Sequence, residues 1–368
     1  MTLIAHSGAL MSFQRAVGIM TVPDSWRTSF VTALFVLVIQ SVICLPQTAF
    51  ARASDISRTQ SQAEHGSVAQ EIELGAAYLG GKSVPRDERK AAYWYEKAAN
   101  AGDPGAQQQI GYFYQNGIGV DRDPERAARW FERAVAGGLI SAKVNLGVAY
   151  VWGSGVRKDP GFAVQLFREA ANKGNGTAAC YLGVMYSFGM GVPKDASEGR
   201  HWFEAGAKLH DAMAQFNLAM TLFKQDNLMS KDVIELLRDS AHAGYVRAMH
   251  QLGLFIVRDP ALAASPTEAT DLLEEAAANG SWQSSALLGI LARDGRAGVT
   301  QNMKVAYYHF RIASLQGGDS ATTLLASDLH LLTSELAADS INSVDADVTA
   351  WMEKHKQRCW LTSECAKD

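Results

Sequence analysis

Four of the nine histidines lie between residues 201 and 250 and are the first candidates for metal binding in this chain: His201, His210, His242 and His250. No two of them are four residues apart, the spacing that places two imidazoles on one face of a helix. The segment Asp121–Asp123 also lacks the spaced oxygen ligands of a calcium loop. We therefore predict no metal site and no cofactor.

Paired glycines such as Gly117 and Gly119 could suggest a phosphate-binding loop. They follow a predicted helix instead of a strand, however, and the pair recurs along the chain, so it indicates a repeated turn. The recurring pattern contains no nucleophile paired with a base. We therefore predict that the chain is not an enzyme.

The turns belong to a repeated unit. A Leu-Gly or Ile-Gly pair with a tyrosine three positions after the glycine occurs four times at intervals of 36 residues, with glycines at Gly75, Gly111, Gly147 and Gly183. A fixed period of this length is typical of stacked repeat arrays, in which each unit packs only on its neighbours. Such arrays are mostly surfaces that hold other molecules.

Each unit has the pattern of a helical hairpin. In the second copy, small and apolar residues recur at helical spacing over 106–114, and the paired glycines then end the helix. Asp123 and Pro124 suit the N-cap and first turn of a second helix, which continues to Gly138. A glycine inside a helix is unfavourable, so Gly147 and its equivalents are expected to allow close helix approach.

Seven copies follow this frame. The fifth is degenerate, because Leu218-Ala219 replaces the Leu-Gly pair and the glycine loop is missing. Residues 321–326 begin an eighth first helix with no recognisable partner. We predict an all-α fold, an α/α solenoid of about seven helical hairpins over residues 69–317, followed by a C-terminal helical cap and tail over 318–368.

This pattern resembles the Sel-one-like repeat, a slightly longer relative of the tetratricopeptide repeat. The resemblance rests on the Leu-Gly-x-x-Tyr first helix, the Gly-x-Gly-Val loop and the Asp … Ala-x-x-Trp-Phe second helix, and it covers residues 69–317. It implies a right-handed superhelix that is used for protein–protein binding.

The N-terminus is a different kind of segment. Residues 30–45 form an apolar run after Arg15 and Arg27, and Ala49-Phe50-Ala51 supplies the small residues of a cleavage site. The run is shorter than the about 20 apolar residues of a membrane-spanning helix. We predict a signal peptide over 1–51, a flexible arm over 52–68, no membrane span after cleavage, and a periplasmic or secreted location. An uncleaved leader that anchors the chain is the alternative.

The cysteines are consistent with export. Cys359 and Cys365 flank five residues near the C-terminus, a spacing that a turn can close into a disulfide. The alternative is two free thiols. Cys180 lies in a predicted first helix beside Tyr181 and Leu182, where we expect a small buried hydrophobic residue instead of a reactive thiol.

The resemblance also implies a groove. In the related tetratricopeptide repeat, variable positions of the first helices line it, and the equivalents here are Gln108, Tyr112, Val148, Trp152, Val184, Phe188, Phe216, Met220 and Phe223. Trp152, Phe188 and Phe216 are unusually apolar for a solvated surface, which is typical of interaction sites. The alternative is that the curvature of the array buries them against neighbouring helices.

Charge and repeat pattern together favour one class of function. The net charge of −4 argues against a basic face for nucleic acid. We predict an exported scaffold that binds another protein, as an adaptor or regulator in the bacterial cell envelope. The alternatives are a cell-wall-directed hydrolase and a structural envelope protein anchored by an uncleaved leader.

Overall fold

The computed structural model describes residues 58–81 and 83–355, and the regular secondary structure within those ranges is helical. The helices are α1 (Val68–Gly80), α2 (Glu88–Asn100), α3 (Pro104–Asn116), α4 (Pro124–Ala136), α5 (Ile140–Trp152), α6 (Pro160–Ala171), α7 (Gly176–Phe188), α8 (Ala196–Lys208), α9 (Ala212–Asp226), α10 (Lys231–His242), α11 (Val246–Arg258), α12 (Glu268–Ala278), α13 (Trp282–Asp294), α14 (Met303–Glu335) and α15 (Ala338–His355). A short 3-10 helix, Pro260–Leu262, follows α11.

The chain divides into two compact units between Arg122 and Asp123. In the first unit, α1 packs on α2 and α2 packs on α3. In the second unit, each helix from α4 to α15 packs on the next one in the chain. Successive helices that pack on their sequence neighbours form stacked hairpins, so the predicted all-α solenoid is confirmed. Among the described helices, none combines the length and apolar character needed to cross a membrane.

An aspartate begins the second helix in each of the first four copies, and its side chain accepts a backbone hydrogen bond: Asp87, Asp123, Asp159 and Asp195. In copy three, the backbone N–H of Phe162 donates to Asp159 Oδ1 at 2.9 Å. This bond satisfies one of the N–H groups that a helix start leaves without an intrahelical partner. The predicted N-caps are therefore confirmed.

The glycine inside a first helix allows an aromatic ring to approach the backbone. A Cβ added to Gly147 in α5 would lie 2.5 Å from Cε1 of Phe167 in α6, closer than such atoms ever come. Phe167 is fully buried. The close approach predicted for Gly147 is confirmed, and the partner is the second aromatic position of the following helix.

The loop glycine has a second role, which the repeat pattern does not reveal. Gly155 follows α5 with a φ of +73°, and a Cβ there would lie 1.9 Å from the carbonyl oxygen of Pro124. The loop of copy three thus lies directly on the first turn of α4, the second helix of the preceding copy. Gly191 lies on Pro160 in the same way one copy later. Because only glycine fits this contact, the loops of copies three and four fix each of these copies against the second helix of the copy before it.

Copy five lacks this loop, as the sequence predicts. Its first helix, α9, runs to Asp226 and is capped by Asn227 with a φ of +50°. Asparagine tolerates the left-handed conformation better than most residues. The chain then continues through Leu228 and Met229 to Ser230, which caps α10.

The C-terminal region contains one hairpin more than the sequence indicates. Helix α14 is bent at Gly318, whose φ of 58° and ψ of −141° are not helical. Its second half packs with α15, where Val344 and Val348 are buried. Arg311 Nε also donates to Asp345 Oδ1 at 2.9 Å. The eighth first helix therefore has a partner, which lacks the repeat motif.

The N-terminal arm is the other difference from expectation. Residues 58–64, which we expected to belong to a flexible arm, are helical. Ala63 is fully buried with Leu74 and Trp94, and its carbonyl oxygen accepts a hydrogen bond from Lys97 Nζ at 2.6 Å. This helical part of the arm packs on the first copy through Ala63.

Candidate functional site

Two large aromatic side chains lie in solvent at equivalent positions of successive copies. Trp152 ends α5 and is 68% exposed, and Phe188 ends α7 and is 73% exposed. A glycine in the left-handed conformation follows each of them and ends the helix. The curvature of the array therefore does not bury these two residues, which we call the aromatic pair.

The repeat fold does not require aromatic residues at these positions. Counted from the Leu-Gly pair or its equivalent, the other copies have glycine or a polar residue there: Gly80, Asn116, Lys224, Arg258 and Asp294. Large apolar groups that stay exposed in a folded protein are typical of surfaces that another molecule covers. The aromatic pair is thus a local feature of copies three and four.

Val148 and Val184 are the groove candidates on the same helices as the aromatic pair. Both are half-buried on the same helices as Trp152 and Phe188. Val148 packs on the core cluster of α6 and α7, and Val184 packs on the cluster that contains Cys180 and Phe203. These two valines are mainly packing residues.

The three candidates in copy five are also largely packing residues. Phe216, Met220 and Phe223 are half-buried against the cluster built around α10 and α11. The Phe223 ring lies 4.8 Å from the ring of Phe255, centroid to centroid, and the Phe216 ring lies 5.2 Å from that of Tyr245. Burial by a neighbouring helix, the alternative left open by the sequence, holds for this copy.

The two remaining groove candidates belong to the first unit. Gln108 and Tyr112 lie on α3, and both are half-buried. The carbonyl oxygen of Tyr112 accepts a hydrogen bond from Asn116 Nδ2 at 2.8 Å. They present a polar surface, unlike the aromatic pair.

One contact between groups that could do chemistry was missed in the sequence. His250 Nδ1 lies 2.9 Å from Ser284 Oγ, and Ser281 Oγ lies 2.9 Å from the same hydroxyl. Ser284 is completely buried, and burial lowers the pKa of His250. Ser281 caps α13 and accepts a hydrogen bond from the backbone N–H of Ser284, so the contact belongs to a helix cap. The signal was the spacing, because residues one copy apart lie on adjacent first helices.

The remaining titratable candidates do not come together. Within the described ranges, no group of three His, Cys, Asp or Glu side chains is arranged to hold a metal ion. Cys180 is buried, accepts a hydrogen bond from Asn217 Nδ2 at 3.3 Å, and has its pKa raised by burial to about 12. It is an unreactive core residue, as predicted. Cys359 and Cys365 lie outside the described residues, so their disulfide stays a prediction.

A protein-family model matches the repeats that the sequence predicts. The Sel1 repeat matches six segments that together cover more than half of the chain: 71–103, 104–139, 140–175, 176–211, 244–281 and 283–318. The unmatched residues 212–243 are those of copy five, where α9 lacks the glycine loop. A search of curated proteins gives no match.

One solved structure supports the same fold, and two others are similar with lower TM-scores. A Sel1 repeat protein from Oxalobacter formigenes is 24% identical over 76% of this chain and 81% of its own, with a TM-score of 0.52. A protective antigen of uropathogenic Escherichia coli strains that displays an SLR fold is 22% identical over 86% of this chain and 75% of its own, with a TM-score of 0.43. An immunity protein from Pseudomonas aeruginosa is 16% identical over 68% of this chain and 83% of its own, with a TM-score of 0.36.

Proposed function

The chain belongs to the Sel1 repeat family, and from that premise we propose that it is an exported scaffold that binds another protein through Trp152 and Phe188. Proteins built from this repeat generally mediate protein–protein interaction. The observation that carries the proposal is the exposure of two large aromatic side chains at equivalent positions of copies three and four.

The chemistry of these side chains suits binding. Tryptophan and phenylalanine have large apolar surfaces and few rotatable bonds, so a partner that covers them gains burial at a small loss of side-chain entropy. Binding anchors of this type typically contribute at least about 2 kcal/mol each when truncation is measured. Two anchors on adjacent copies would give the surface a defined direction along the array.

Export is the second part of the proposal. It is supported by the apolar run over 30–45 and the small residues at Ala49 and Ala51, all of which lie outside the described residues. A scaffold in the bacterial envelope would act there as an adaptor or regulator. N-terminal sequencing of the protein from the envelope fraction tests this part, since cleavage predicts a mature chain that begins near Arg52. A chain that retains residues 1–51 would support the anchored alternative instead.

A cell-wall-directed hydrolase is less well supported. The contact that resembles a nucleophile and its base is Ser284 with His250, and the hydroxyl of Ser284 is completely buried. A substrate would need access to that hydroxyl. The contact therefore favours a structural role for both residues.

The binding proposal is tested by affinity capture from envelope extract with the wild-type protein and with Trp152→Ala and Phe188→Ala, each made separately. We expect each variant to bind the captured partner with an affinity about 30-fold lower, the equivalent of about 2 kcal/mol. The melting curve should be unchanged. The matched control is Leu209→Ala, which removes a side chain that is 47% exposed at the end of α8. Capture that both aromatic variants retain would overturn the proposal.

A further inference from the structure

A lysine lies close to the glycine that follows each member of the aromatic pair. Lys158 is adjacent to Gly153, the residue after Trp152: a Cβ on that glycine would lie 3.1 Å from the Cβ of Lys158. Lys194 has the same relation to Gly189, the residue after Phe188, again at 3.1 Å. An exposed aromatic residue and a lysine thus recur together one copy apart.

Both lysines are exposed, and within the described ranges neither side chain has an ion-pair or hydrogen-bond partner. The neighbouring carboxylates, Asp159 and Asp195, are helix caps and make no ion pair with these lysines. Asp159 accepts from the backbone of Phe162, and Asp195 accepts from the backbone of Ser197 and Glu198. The two ammonium groups therefore remain available to a ligand.

Equivalent loop positions behave differently in copies without an aromatic residue at the end of the first helix. Arg86 in copy one forms an ion pair with Glu88 at 2.6 Å. Arg122 in copy two donates from Nε to the carbonyl oxygen of Gln115 at 3.0 Å, and Gln301 in copy seven donates to the carbonyl oxygen of Arg293 at 2.9 Å. Each of these three side chains has a partner within the chain. Among these five copies, a lysine without a partner and an exposed aromatic residue at the end of the first helix coincide only in copies three and four.

We infer that the partner contributes an acidic segment, in which carboxylate side chains alternate with apolar ones, to the surface formed by Trp152, Lys158, Phe188 and Lys194. The inference rests on the proposed binding function and names the chemistry of the partner. The apolar side chains cover the aromatic pair, and the carboxylates pair with the two lysines. Complementary charge of this kind fixes register and suppresses wrong partners.

The test is selection from a random 12-residue peptide library displayed on phage, with the full-length mature protein as the target. The expected peptides are enriched in Asp or Glu together with Trp, Phe or Leu. Their binding to purified protein is then measured by fluorescence anisotropy. Peptides that bind without acidic enrichment, or a selection that yields no binders, would overturn the inference.

Charge reversal separates this inference from the proposed function. The double variant Lys158→Glu with Lys194→Glu should weaken a selected acidic peptide by about tenfold, because two exposed attractions become repulsions. The control Lys173→Glu with Lys208→Glu makes the same charge change at exposed lysines on other parts of copies three and four and should leave affinity unchanged.

A peptide whose acids are replaced by lysine should regain binding to the Lys158→Glu, Lys194→Glu variant. If selected peptides depend on Trp152 and Phe188 but carry no acids and ignore the charge reversal, the binding surface stands and the acidic segment is wrong. If binding ignores all four residues, both proposals are wrong.

Discussion

Copies three and four differ from copy five in the segment that connects the first helix to the second. After α5 and α7 the chain enters a glycine loop that lies on the second helix of the preceding copy, through Gly155 and Gly191. After α9 there is no such loop, and the helix ends at Asn227 without a glycine. The aromatic residues differ as well: Trp152 and Phe188 lie in solvent, whereas Phe223 packs on Phe255.

The comparison shows how a repeat leaves residues available for binding. Where the loop fixes one hairpin against the next, the contact between copies is made by backbone, and an aromatic residue at the end of the first helix is not needed for packing. Where the loop is absent, the aromatic side chains of α9 make the contact with α11 themselves. The position of the aromatic pair is occupied by Lys224 in copy five, so the aromatic residues of α9 that pack on α11 lie at other positions of the first helix.

The largest effect is expected from Gly155→Ala. The new Cβ would both strain a residue with a φ of +73° and collide with the Pro124 carbonyl, so we expect a loss of about 2–4 kcal/mol in the free energy of unfolding. The control is Gly174→Ala, with a φ of +83° and no atom within 4 Å, which should lose about 1 kcal/mol from strain alone. Equal losses in urea unfolding would show that the loop contact contributes nothing.

The next largest effect is expected from Gly147→Leu. The side chain would enter the space of the buried Phe167 ring, which should lower the free energy of unfolding by about 1–3 kcal/mol through overpacking. Thermal and urea unfolding measure the change. An unchanged melting curve would contradict the close approach of α5 and α6.

These two glycines also show how far the sequence was informative. The period of the Leu-Gly pair predicted the hairpins, and the unfavourable position of Gly147 inside a helix predicted a close contact. Asp159 followed by Pro160 predicted the start of α6. Each of these inferences depends on neighbours within about one copy, where spacing determines geometry.

Contacts that depend on a neighbouring copy were harder to foresee. The sequence placed Trp152 and Phe223 at similar first-helix positions, and only the structure shows that α11 covers Phe223 while Trp152 stays exposed. The partner of the eighth first helix, α15, was missed for a related reason: it does not carry the repeat motif, so periodicity gave no signal.

A third prediction uses a position that differs between copy three and copy seven, where a half-buried histidine replaces a buried leucine. His309 in copy seven stands where copy three has the buried Leu166, and burial lowers the pKa of His309 to about 4. The unfolded chain, with a histidine pKa of about 6.5, therefore binds more protons than the folded chain between these values. Stability should fall as the pH drops from about 6.5 towards 4, by at most about 1.4 kcal/mol per pH unit from this residue.

The measurement is urea unfolding at a series of pH values for the wild type and His309→Leu. The variant should show a shallower dependence on pH, with a remainder from His250, whose pKa is also lowered by burial. Identical pH profiles for both proteins would contradict a buried neutral imidazole at this position.

The central claim is that the aromatic pair lies outside the core while the aromatic residues of copy five lie within it. The changes in stability expected for the aromatic pair are the smallest of all. We would measure the free energy of unfolding in urea for Trp152→Ala, Phe188→Ala and Phe223→Ala. The first two should stay within about 0.5 kcal/mol of the wild type, as exposed substitutions do. Phe223→Ala should lose about 2 kcal/mol, since a half-buried phenylalanine is removed from its packing. Losses of similar size in all three variants would contradict the account.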